Sequence, residues 1–92
     1  MEISAKGAHD VALKVNEEIV AELKCAIMNK IQDARLDGDY DICVRCEGKP
    51  YENLNKEHIW DEIASWLLDL GYEVSTTEDY KTTVVRVSWH TV

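Results

Sequence analysis

The side chains in this sequence that could do chemistry are three cysteines, three histidines and 18 acidic residues. Cys43 and Cys46 are separated by two residues, the spacing of a metal pair or a redox pair. Zinc would require two further ligands converging on the same ion, and His58 is the best third ligand by spacing. Cys43, Cys46 and His58 therefore define a Cys-based metal-binding alternative. The sequence opposes it, because an offset of three within a strand sends the two sulfurs to opposite faces. On its helix His58 also points about 140° from the core face. A thioredoxin-like role fails too, since its first cysteine belongs at a helix N-terminus, where the dipole favours thiolate. The pair reads as small strand thiols, and no cofactor is expected. Cys25 lies about 160° from the centre of its helix's apolar stripe and reads as an exposed thiol with no histidine on its face to act as base.

The remaining polar groups show no catalytic set. His9, His58 and His90 form no H-E-x-x-H cluster. General acid and base work by carboxylates needs two of them facing each other across a concavity, whereas Asp37, Asp39 and Asp41 sit at a loop and Glu18, Asp61 and Asp69 on outer helix faces. The alternating Asp37-Gly38-Asp39-Tyr40-Asp41 stretch runs into Ile42, Cys43 and Val44, a strand that cannot wrap a calcium ion. No glycine-rich phosphate loop occurs. Arg45 and Arg86, as cross-strand neighbours, would form a two-guanidinium site for a small anionic ligand. The expectation is a protein that is not an enzyme.

These residues must be positioned by few elements, because 92 residues fit a single domain, 1–92, with one core. From about His9 to Leu36 the residues Ala12, Val15, Ile19, Leu23, Ile27, Ile31 and Ala34 recur at three and four, predicting one long amphipathic helix. Its core stripe is expected through Ile19, Leu23 and Ile27, with Ala26 beside them, and Asp37-Gly38-Asp39 ends it. Tyr40 to Cys46 predicts a strand with Ile42, Val44 and Cys46 on one face, and Glu47 to Glu52 a loop. A second helix is expected with Asn55 as N-cap, a Leu54–Ile59 staple, a core face of Ile59, Ile63, Trp66, Leu67 and Leu70, and Gly71 as left-handed cap. Tyr72 to Thr76 and Thr82 to His90 predict strands joined by a turn over Thr77 to Lys81.

The fold class that follows is α+β, in the order α-β-α-β-β, with two helices on one face of a small three-stranded mixed sheet. The last strand is the longest and is placed centrally, giving strand order 1-3-2. The other face, with Cys43, Arg45, Glu73, Ser75, Val84, Arg86 and Ser88, is left solvated or open to a partner.

A net charge of -8 repels phosphate backbones, so direct nucleic-acid binding is not expected. The same sign suggests a nucleic-acid-mimicking inhibitor of a host protein, although the acids are interleaved with Lys14, Lys24, Lys30, Lys49 and Lys56. Apolar runs never approach the roughly 20 residues of a membrane span. The polar start and odd cysteine count fit reduced thiols in a cytoplasm. On the second helix Trp60, Ala64 and Leu68 extend the apolar arc to about 140° from Ile63, wider than a sheet requires, which marks them as partner-binding residues. In Ile63-Ala-Ser-Trp-Leu-Leu-Asp-Leu-Gly-Tyr-Glu-Val74 and Thr83-Val-Val-Arg-Val-Ser-Trp89 the chain resembles small uncharacterised proteins encoded by bacteriophages and prophages. That resemblance covers the last 40 or so residues, excludes the Cys43/Cys46 pair and transfers no catalytic residue. It implies an accessory protein of the host-cell cytoplasm. The expected function is a non-enzymatic acidic protein-binding module, with an unidentified host or phage protein, or itself as homodimer, for partner.

Overall fold

A computed structural model describes residues 3–90. The elements are α1 (Ala5–Leu36), β1 (Asp41–Arg45), a 3-10 turn η1 (Tyr51–Asn55), α2 (Glu57–Asp69), β2 (Glu73–Asp79) and β3 (Thr82–Ser88). The strand order is β1-β3-β2. The two helices pack on one face of this α+β sheet, as the sequence predicts. Both hydrogen-bonded pairs are antiparallel, so the sheet is antiparallel rather than mixed as expected: β1 and β2 run parallel only across the central β3, which separates them.

Register explains the core. Ile42 and Val74 flank Val87, and Val44 flanks Val85, a cross-strand apolar set on one face. Against it lie Leu23, Ile27 and Ile31 of α1 and Ile59, Ile63 and Leu67 of α2, all buried, with Leu54 and Cys46 closing one end. Asn16 of α1 meets His58 of α2, and Lys24 lies 5.4 Å from the Trp66 ring centroid. The two contacts share one sequence offset, so the helices run side by side in the same direction.

The helix ends follow cap chemistry. Ser4 caps α1 by accepting from the Gly7 N–H at 3.0 Å, eight residues before the apolar period becomes readable at Ala12 and Val15; hence the helix starts at Ala5 rather than near His9. At its other end Gly38 takes a φ of 85°, and the Asp39 N–H reaches Ala34 O, the six-to-one bond of a Schellman cap. Gly71 repeats the arrangement after α2, with φ 95° and the Tyr72 N–H on Leu67 O.

Four further expectations need correction. The core stripe of α1 is Val20, Leu23, Ile27 and Ile31, with Ile19 only half-buried. The row Val15, Ile19, Leu23, Ile27, Ile31 advances about 40° at each four-residue step, so its members cannot all face one sheet. Asn55 does not cap α2: it ends η1, and its side-chain amide donates to Cys46 O at 3.1 Å. Lys56 holds the N-cap position without a side-chain bond. Of the predicted α2 core face, Trp66 is half-buried and Leu70 is 53% exposed. Finally β2 reaches Asp79, because Thr77, Glu78 and Asp79 pair with Val84, Thr83 and Thr82. The turn is then just Tyr80 and Lys81, both with positive φ, 48° and 68°, the backbone of a type I′ hairpin.

Candidate interaction surface

The sheet face away from the helices carries paired charges. Arg86 places Nη2 2.6 Å and Nε 3.1 Å from Asp41 Oδ2, which holds its guanidinium further toward the protonated form; the hydrogen bonds contribute most and the Asp41 charge next. Arg45 sits 3.2 Å from Asp79 and 3.6 Å from Glu47. Glu47 also accepts from the Thr82 hydroxyl, and that bond, followed by Arg45, keeps its carboxyl below the ordinary range. The two arginines are diagonal rather than opposite, since Cys43 faces Arg86 and Arg45 faces Val84. Both guanidiniums are thus turned to carboxylates of the chain itself. Ser88, expected on the open face, is buried in the central strand between Asp41 and Glu73.

The cysteines lie where strand alternation puts them. Cys43 on β1 is exposed and Cys46, one residue past the strand's end, is buried, and burial pushes the Cys46 thiol up. His58 stands at Asn16, 3.4 Å away, and not beside the sulfurs. Among the described residues no group of three or more His, Cys, Asp or Glu side chains is placed to hold a metal ion. Cys25 is exposed on α1.

Trp60, Ala64 and Leu68 form an i+4 row that turns away from the sheet as it advances. Trp60 is half-buried and lines a cavity of about 290 Å³ with Cys46, Leu54, Thr76, Thr83 and Val85. Ala64 is half-buried, and Leu68 is 57% exposed. It is Trp66, beneath Lys24, that faces α1. The three residues therefore make a graded edge of the core with a leucine at its outer end.

The larger apolar surface lies elsewhere. No residue of α1 before Val20 is buried, and Asn16 makes its contact beside the first turn of α2. The segment from Ala5 to Val15 therefore projects beyond the body by about 16 Å. The molecule is accordingly elongated, 54 × 29 × 18 Å, with a radius of gyration of 15.3 Å, against about 12 Å for a compact chain of this length. On the projection Val11 is 65% exposed, Leu13 50% and Val15 47%. Ile3, Gly7, Ala8, Val11, Ala12 and Val15 line one shallow groove of about 370 Å³. Ala12 and Val15 belong to the apolar period of the sequence but lie outside the stripe expected through Ile19, Leu23 and Ile27. The signal that separates them is the precession of the row, which rotates Val15 about 120° from Ile27.

Comparison with protein-family models, with characterised proteins and with solved structures finds no match.

Proposed function

We propose that this chain is a non-enzymatic protein-binding module that docks through the projecting half of α1. The observation that carries the reading is the apolar groove along a helix segment with no packing partner in its own chain. A helix of about a dozen residues is marginal in water without tertiary support, and contiguous exposed apolar surface on a small acidic protein is a mark of an interaction site. Leu68, at the outer end of the Trp60 row, is a second and smaller apolar exposure.

The test is affinity capture from lysate with the natural chain and with a Val11→Asp/Val15→Asp double variant. Both positions are exposed, so the body keeps its fold, which near-ultraviolet circular dichroism verifies. Loss of the captured proteins in the variant is the expected result. Equal retention by both chains would refute the docking surface.

A further inference from the structure

We propose that the occupant of this groove is a second copy of the same chain, its α1 antiparallel to the first about a two-fold axis near Ala12. The inference rests on the docking reading above and adds the identity and direction of the partner.

An apolar strip is complementary to itself under two-fold symmetry. Gly7, Ala8 and Ala12 are small enough to let two helix backbones approach, and Val11 and Val15 supply the burial. Charge decides where two copies can meet. The chain carries -8, yet residues 3–16 hold Lys6 and Lys14 against Asp10 alone, a net +1. The projection is thus a part of the surface that repels a second acidic body little.

Charge also decides the direction. Glu18 and Glu22 lie within about 60° of Val15 around the helix, at the C-terminal end of the groove. Parallel pairing would set each glutamate against its own copy. The first turn of α1 contains no acid and carries Lys6, so the positive end of the helix dipole favours an incoming carboxylate there. Antiparallel pairing about Ala12 brings Glu18 of one copy alongside the Lys6 turn of the other, with Glu22 just beyond it. The overlap is about four helical turns, or roughly 22 Å, at the small end of specific interfaces. The dimer is therefore weak and dissociates on dilution.

Sedimentation of the purified full chain over a concentration series, in reductant, tests the association. The expected result is a rise from monomer to dimer mass that Val11→Asp or Val15→Asp weakens by ~10-fold or more, and that Leu68→Asp leaves unchanged. Direction is read by oxidative cross-linking in a Cys25→Ser/Cys43→Ser background: Ala12→Cys links across the axis, and Ala8→Cys does not. A monomer at every concentration overturns the inference. So does a dimer indifferent to both aspartates, or a link at position 8 equal to that at 12. If the chain is monomeric while lysate capture still depends on Val11 and Val15, self-pairing falls and the docking reading stands. If capture is also indifferent, both fall.

Discussion

Val15 and Ile27 belong to one i+4 row in the sequence, and truncating them should move stability in opposite directions. Ile27 is 2% exposed, among Leu23, Val44, Ile63 and the rest of the core. Ile27→Ala removes three buried carbons and leaves a cavity, at a cost of about 2–5 kcal/mol. Against a total of roughly 5–14 kcal/mol for a chain of this length, that is a large loss. Val15 is 47% exposed, and alanine is the better helix former by about 0.5 kcal/mol, so Val15→Ala should be neutral or slightly stabilising. Urea unfolding followed by tryptophan fluorescence, at a dilution where the chain is monomeric, reads both. A loss of 1 kcal/mol or more at Val15, or less than 1 kcal/mol at Ile27, would refute the placement of α1 on the body. At high concentration the Val15 variant should lose its advantage, because the paired form then contributes to stability.

The remaining predictions concern the turn, the thiols, the cap and the pH response. Tyr80→Asn with Lys81→Gly puts favoured residues at two left-handed positions and should raise the melting temperature by about 4–8 °C, roughly 1 kcal/mol; a fall would show that Tyr80 and Lys81 are not strained. With the folded protein and a maleimide, Cys25 and Cys43 should label rapidly and Cys46 slowly, as mass spectrometry of digests would report, and comparable rates at all three would contradict the burial of Cys46. Ser4→Ala should speed amide hydrogen exchange in the first turns of α1 and leave α2 unaffected, since the lost cap is local. Burial raises Cys46 above its ordinary 9.0 and Tyr51 above its ordinary 10.0. Their contribution is fully present below those values and is lost as pH rises through the folded ones, so stability should decline in alkali, less steeply for Cys46→Ala than for the natural chain.

How much of this was legible in the sequence depended on whether an element's pattern and its burial coincide. α2 is the favourable case: Ile59, Ile63 and Leu67 sit at the predicted positions, and Gly71 supplies the stop. The central position of β3 was readable because Val84, Val85 and Val87 make both of its faces apolar or half-buried. β2 was cut short because residues from Ser75 onward are all exposed, so no alternation marks them; the ladder with β3 and the Arg45–Asp79 pair hold them. Asn55 carried a good capping signal, but the 3-10 turn before it redirected the amide to Cys46. On α1 the spacing of three and four was present throughout, yet spacing alone does not say how far a row winds around the helix. That omission left the projecting groove unread.

The continuity of α1 from Ser4 to Leu36 separates two kinds of selection along one rod. Substitutions from Val20 onward are screened by the stability threshold that every folded chain must clear. Substitutions before Asn16 meet a weaker screen, because none of the α1 residues there is buried. On the proposed docking reading, residues at that end can therefore change binding strength or partner at little folding cost, and a drift of Val11 or Ala12 to charged types would be the molecular record of an interface being abandoned.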